Sequence, residues 1–478
     1  MVKRSVVRTE IVAMRRGMMR VLALAASCWA LSCLIPPTES RADEPAKPSA
    51  ATAPRLQWFV DAKLGIFIHW GIYAVNGIPE SWSFYNGQIS HADYLKQQAG
   101  FTAAKYDPQA WAALFKRAGA RYAVLTSKHH DGFALWDSKL STLDVMSTPA
   151  KRDLVAPYCA ALRAEGLKVG LYFSHLDWSH PDYASLRAPG MKPEDRGNPF
   201  SHAAAGKEDP VAWKRFLAFH RGQLREVGEL FHPDLYWFDG DWDRSEEQWD
   251  MKGLRKEILS RQPDTILNAR MRGQGDYETP EQGVPILPPA PPWEFCMTMN
   301  DSWGYQPRDT NYKTSTQIIR TFAEVVGMGG NLLLDIGPRP DGTIDPPQVE
   351  RLEALGRWSS KHNEAIWGTT AGLPFGHFYG PTTLSKDRKT VFLFVFDTPR
   401  TPIAVKGIRN KIARAWVVGT GQDLLVTRLG GAAWNNIPGV TYVDLPSSVL
   451  DPEVTVIGLA LEGALDLYHG GGGAVESN

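Results

Sequence analysis

From Trp58 to Trp367 the chain repeats one pattern. A short apolar run breaks into polar or aromatic residues, and a longer stretch with apolar positions three and four apart follows. Leu64-Gly-Ile-Phe-Ile runs into His69-Trp70-Gly71, and Tyr122 to Thr126 leads to Lys128-His129-His130-Asp131-Gly132-Phe133. Lys168 to Ser174 stops before Leu176-Asp177-Trp178, and Leu235-Tyr-Trp-Phe breaks into Asp239-Gly240-Asp241-Trp242. Thr265 to Arg270, Cys296 to Asn300 and Asn331 to Gly337 are the remaining strand-like runs. Helical spacing is predicted over 107–119, 154–166, 213–231, 251–261, 314–327 and 347–366. Strands alternating with helices predict a (β/α)8-type barrel; a doubly wound open sheet is the alternative. No Gly-rich phosphate loop follows any strand, which weighs against nucleotide binding.

The pattern changes after Gly368. Thr390 to Phe396, Ile412 to Val418, Leu424 to Leu429, Thr441 to Leu445 and Val454 to Leu461 are short β-rich runs separated by Gly, Pro and Asn. They predict a C-terminal β-sandwich whose role is chiefly packing. The expected organisation is a catalytic barrel over 56–368, a sandwich over 369–465 and a disordered tail over 466–478.

The N-terminus reads as an export signal. Arg15-Arg16 and Arg20 precede an apolar run, Val21 to Cys33, too short to span a bilayer comfortably. Ser40-Arg41-Ala42 supplies small residues for cleavage after Ala42, leaving 1–42 as signal peptide and 43–55 as a Pro/Ala-rich linker. The expected destination is the periplasm or the extracellular space. A twin-arginine signal, lipidation at Cys28 or Cys33, and an uncleaved anchor are the weaker readings. Two cysteines then remain, Cys159 and Cys296; they could pair, and no Cys/His spacing points to zinc.

Composition adds two things. Lys+Arg and Asp+Glu balance at 52 each, so neither nucleic acid nor an anionic membrane is indicated as a partner. The chain carries 17 Trp, and indole faces suit the C–H faces of sugars.

Breaking a glycosidic bond takes two carboxyl groups across it. Asp239, at a strand end between Trp237 and Trp242, is the candidate nucleophile. Asp241 is its rival, but shares its face only if the strand persists through Gly240. The acid/base must come from a neighbouring segment. Glu281, in the loop after the next strand, and Glu294, desolvated between Trp293 and Phe295, are both open on chemistry alone. His69, His129 and His130 end two strands and can converge on one pocket, where imidazoles and Arg270 would bind sugar hydroxyls. Metal binding is the competing reading of the histidines, and adjacent residues that alternate faces fit it poorly.

The motifs Phe67-Ile-His-Trp-Gly-Ile-Tyr73, Lys128-His-His-Asp-Gly-Phe-Ala-Leu-Trp-Asp-Ser138, Arg152-Asp-Leu-Val155, Gly166 to Tyr172 and Trp237-Phe-Asp-Gly-Asp-Trp242 resemble the α-L-fucosidases of glycoside hydrolase family 29. The resemblance implies a retaining exo-enzyme acting on terminal α-L-fucosyl residues of glycans, with a barrel, a C-terminal β-sandwich and no metal or other cofactor. It places the nucleophile at Asp239 and the acid/base at Glu281, a position that varies within the family. Fucose-binding residues fall on His69, His129, His130, Tyr172 and Arg270, beside Trp237. A Glu-Trp pair of some members has its nearest counterpart in Glu80-Ser81-Trp82, with one residue inserted. A retaining glycosidase for another sugar and a catalytically inactive glycan-binding protein are the alternative functions. Oligomeric state and glycan linkage are left open.

Overall fold

A computed structural model describes residues 53–184, 200 and 209–470. The export segment, most of the linker and the last residues of the tail lie outside the described residues. Seven strands form one parallel sheet: β1 (Leu64–Ile68), β2 (Tyr122–Lys128), β3 (Lys168–Ser174), β4 (Leu235–Asp239), β5 (Ile266–Leu267), β6 (Glu294–Thr298) and β7 (Asn331–Ile336). Their order is β5-β4-β3-β2-β1-β7-β6. Parallel neighbours need long crossovers. These carry α1 (Pro108–Arg117), α2 (Val155–Ala164), α3 (Pro210–Phe231), α4 (Met251–Arg261) and α5 (Ser315–Gly327), and α6 (Pro346–Lys361) follows β7. Their starts are chemically marked: Asp107 and Asp209 cap helices that open on proline, and Thr314 with Gln317 forms a capping box.

The ring closes between β5 and β6 through an irregular eighth stave. Asn268 bridges Tyr277, Glu278 bridges Trp293 and Glu281 bridges Cys296, all in parallel sense. Turns and bends, not helices, join this stave to β5 and β6. β5 is shorter than its apolar run because Asn268 replaces backbone pairing with its side chain. The amide accepts from Phe238 N at 2.9 Å and donates to Phe238 O at 2.9 Å.

All residues of β1, β2, β6 and β7 are buried, as strands covered on both faces must be. One face fills the barrel with Phe67, Tyr122, Tyr172, Leu235, Trp237, Tyr277 and Cys296; the other packs on the helices. Tyr122 fits inside because its register partner is Gly65, where a Cβ would lie 2.3 Å from the phenol ring.

After α6 come β8 (Thr369–Ala371), β9 (Thr382–Ser385), β10 (Thr390–Val395), β11 (Ile403–Val405), β12 (Ile412–Val417), β13 (Val426–Leu429), β14 (Val440–Val443) and β15 (Thr455–Leu461). They form two antiparallel sheets, β12-β15-β10-β9-β8 and β11-β14-β13. β10 explains the join to the barrel through its period of two. Val391, Leu393 and Val395 enter the core between the sheets, while Phe392 and Phe394 face the other way and join the barrel's core. Trp358 of α6 adds a hydrogen bond from Nε1 to Val454 O at 2.9 Å.

The edges differ from the sequence expectation. A helical turn spans Pro54–Leu56, and within it Arg55, assigned to the linker, pairs with Asp276 at 2.5 Å. Residues 466 and 468, assigned to the tail, are held by bonds to Asn410 and Gly407. Cys159 on α2 and Cys296 on β6 are both buried and unpaired.

Candidate active site

The carbonyl ends of the staves surround a cavity of about 290 Å³. His69 follows β1, His129 and His130 follow β2, Tyr172 lies on β3, Asp239 ends β4, Arg270 follows β5 and Glu281 ends the irregular stave. The residues the resemblance assigns all line the cavity except His130, which stands beside Asp239 with Nε2 3.5 Å from Oδ2; the rival candidates Asp241 and Glu294 do not line it.

The two carboxyls meet on one guanidinium. Arg270 donates from Nη1 to Asp239 Oδ1 at 2.6 Å and from Nη2 to Glu281 Oε2 at 2.6 Å. Tyr172 Oη donates to the other oxygen of Asp239 at 3.0 Å. Arg270 also lies over the Trp237 ring, 5.1 Å from its centroid. Gly240 then turns the chain away with φ of 84°, where a Cβ would meet Leu176 at 2.4 Å. The strand therefore does not continue to Asp241, whose Oδ2 instead accepts from Arg272 N at 3.0 Å outside the cavity.

Glu294 is placed differently from its rival Glu281. It begins β6 at the opposite end of the barrel, fully buried beneath Trp237. Trp237 Nε1 donates to it at 2.9 Å and Tyr122 Oη donates to its other oxygen. Burial pushes its carboxyl up to about 7, but it does not line the cavity.

The three histidines are held as neutral rings. Burial keeps each well below the usual histidine range. Each Nδ1 has its own partner: Asp335 Oδ1 at 2.7 Å for His69, Ser81 Oγ at 2.6 Å for His129 and Ser174 Oγ at 2.6 Å for His130. Ser174 gives its hydrogen to Leu176 O at 2.9 Å and so accepts from His130. Nε2 of His130 is therefore an acceptor aimed beside the candidate nucleophile. Ser81, the residue inserted between Glu80 and Trp82, has a purpose here: its hydroxyl orients His129 while both neighbours line the cavity. Glu80 accepts from Gly304 N at 2.6 Å, and burial pushes its carboxyl up to about 7.

Sequence reasoning missed four contributors. Phe67 and Trp303 complete an apolar wall beside Trp237 and His69, with the Trp303 ring tilted at 37° to the His69 ring and 4.9 Å from it. Asp335 and Ser174 orient histidines from within strands. A signal existed for Trp303, which follows β6 in the polar Asn300-Asp301-Ser302 break seen after the other strands.

A carboxyl pair at the carbonyl end of a barrel, walled by aromatic faces and neutral hydrogen-bonding rings, is the equipment of a glycoside hydrolase. The family model described as alpha-L-fucosidase matches residues 35–364. The chain belongs to that α-L-fucosidase family. It is 33% identical over 355 residues to tissue alpha-L-fucosidase of Homo sapiens, covering 67% of this chain and 71% of that one. To the enzyme of the same name from Rattus norvegicus it is 32% identical over 354 residues, 67% of this chain and 72% of that one. The structure of alpha-L-fucosidase isoenzyme 1 from Paenibacillus thiaminolyticus matches with a TM-score of 0.76 at 34% identity, over 86% of this chain and 100% of that one. A trapped covalent intermediate of a GH29 alpha-L-fucosidase from Bacteroides thetaiotaomicron, with 2-fluoro-fucosyl fluoride, matches at 0.75 and 28% identity, over 87% and 98%.

Proposed function

We propose that the protein is a retaining exo-α-L-fucosidase that releases terminal α-L-fucosyl residues from glycans, with Asp239 as nucleophile and Glu281 as acid/base. The observation that carries the roles is the single Arg270 guanidinium bonded to both carboxyls. Sharing one guanidinium brings both carboxyls to one side of the cavity, and the covalent intermediate trapped in the Bacteroides thetaiotaomicron relative supports the retaining course. Asp239 attacks the anomeric carbon as the glycosidic C–O bond breaks, and protonated Glu281 gives its proton to the departing oxygen. Glu281, now a carboxylate, takes a proton from water as that water attacks the same carbon and releases Asp239. His69, His129 and Glu80 offer hydrogen-bonding atoms to sugar hydroxyls, His130 stands behind Asp239, and Phe67, Trp237 and Trp303 offer an apolar wall to the C5 methyl of a 6-deoxy sugar.

The test is to inactivate the protein with 2-fluoro-fucosyl fluoride and map the label by peptide mass spectrometry. A fucosyl adduct on Asp239 is the expected result; one on Asp241, or none, refutes the assignment.

We also infer export to the periplasm or beyond, from the arginine-flanked apolar run and the Ser40-Arg41-Ala42 site. Mass spectrometry of the exported protein should begin at Asp43. A chain starting at Met1, or lipid on Cys28 or Cys33, would refute it.

A further inference from the structure

The cavity lining divides by exposure. His69, Glu80, His129, Phe67, Tyr172 and Trp237 are buried, whereas Glu281 and Trp242 face solvent, Trp242 at 42%. A fucosyl ring seated against the buried wall has to direct its leaving group out past those two residues. Glu281 reaches the leaving oxygen on the reading above, and Trp242 presents an indole face at the same mouth.

Trp242 is also held in place. It sits on the turn Asp241–Asp243, which Arg272 clamps at three points. Arg272 donates from Nη2 to Trp242 O at 2.8 Å, from Nε to Arg244 O at 2.9 Å and from its backbone N to Asp241 Oδ2 at 3.0 Å. Trp249 Nε1 adds a bond to Asp241 O at 3.2 Å. The indole lies edge-on to His130, with centroids 5.8 Å apart, and near-parallel to Trp82 at 6.4 Å and 19°. A large apolar ring fixed at the rim of a polar pocket, with much of its surface in water, gains most when a ligand ring covers it. Rigid aromatic faces suit the C–H face of a pyranose, and their fixed position lowers the entropic cost of binding.

We propose that Trp242 is the platform for the leaving-group sugar, stacking on a pyranose joined to the fucosyl residue, and that Arg272 is a positioning residue that holds the platform. This rests on the fucosidase reading, and it names the substrate class: fucosyl oligosaccharides, not fucosides of small alcohols.

The experiment compares two substrates on the whole protein. One is a fucosyl-pyranose disaccharide; the other is α-L-fucosyl fluoride, whose leaving group has no ring to stack. The readout is the ratio of their kcat/KM values. Trp242→Ala should lower the ratio about tenfold, the size of one lost aromatic contact. Arg272→Ala, which touches neither substrate, should lower it less, and Trp242→Phe should restore most of it. An unchanged ratio in Trp242→Ala overturns the proposal, as does an equal loss on both substrates, which assigns the ring to the fucosyl pocket. Wild-type protein inert towards the fluoride overturns the fucosidase reading itself, and the platform with it.

Discussion

The barrel interior holds two carboxyl–tyrosine pairs at different depths, with Trp237 between them. At the closed end, Glu294 accepts from Tyr122 and from the indole N–H of Trp237, and its side chain has no access to solvent. At the open end, Asp239 accepts from Tyr172, and the face of the same indole carries Arg270. The chemistry of the two pairs is nearly the same. What separates them is access: both carboxylates have each oxygen engaged, but Glu294 is sealed in while Asp239 lies at a cavity wall and shares its arginine with a second acid. A strongly displaced pKa is therefore a poor guide here, since Glu294 is lifted to about 7 purely by burial, in a place no substrate reaches.

The contrast can be broken by substitution, and the largest effect should come at the open end. Asp239→Asn should lower turnover of any fucoside by roughly four orders of magnitude or more with little change in melting temperature. Near-normal activity in the purified variant would move the nucleophile to Asp241.

Next in size is the acid. Glu281→Ala should cost about 10²- to 10⁴-fold on a fucosyl oligosaccharide and much less on an aryl fucoside with a good leaving group, and azide should rescue the latter. Glu294→Ala should slow both substrates together and show no rescue. Azide rescue confined to Glu294→Ala would exchange the two roles.

Stability should show the reverse ranking. Glu294→Ala strands the Tyr122 hydroxyl and the Trp237 N–H, each at about 1–3 kcal/mol, whereas Glu294→Gln can satisfy both. The pH dependence sharpens the point. A glutamate raised to about 7 in the folded state binds its proton more tightly there than when unfolded, near 4.3. Its contribution is full below the unfolded value and is lost as pH rises to about 7. Urea melts of Glu294→Gln should therefore fall less steeply over that window, by about one bound proton. A slope identical to wild type would mean that Glu294 is already ionised when folded.

The smallest effect concerns the apolar wall. Fucose carries a methyl where galactose carries a hydroxymethyl, so rates on an aryl α-L-fucoside should exceed those on the α-L-galactoside by roughly 10- to 100-fold. Trp303→Ala should narrow that margin, and equal rates on wild type would show that the wall does not discriminate.

The parts legible in the sequence were those written in local periodicity. Apolar runs breaking into His69, His129 and Asp239 marked strand ends, and apolar positions three and four apart marked the helices between them. The irregular stave was illegible because its pairing depends on isolated bridges to Trp293 and Cys296 rather than on an apolar run of its own. Glu281 was thus placed by resemblance alone. Glu294 was read as a loop residue because the apolar run was taken to start at Cys296; the strand begins two residues earlier and carries it to the closed end. Its desolvation was correctly inferred and its location was not. Trp242 was noticed beside the acids, but its exposure and its clamp by Arg272 depend on the fold.

The eighth stave has a consequence for ancestry and engineering. Asp239, the proposed nucleophile, hangs from β4, which is laddered to β3 and β5 and backed by crossover helices, so an insertion there would displace the whole wall. Glu281 hangs from a strip of chain tied by three bridges, with turns at either end and no helix to keep in register. Tyr277 and Asp276 anchor the start of that strip in the barrel, so the turns at either end are where residues can be gained or lost. On the roles proposed above, the acid/base thus sits on the less constrained part of the barrel and the nucleophile on the more constrained one.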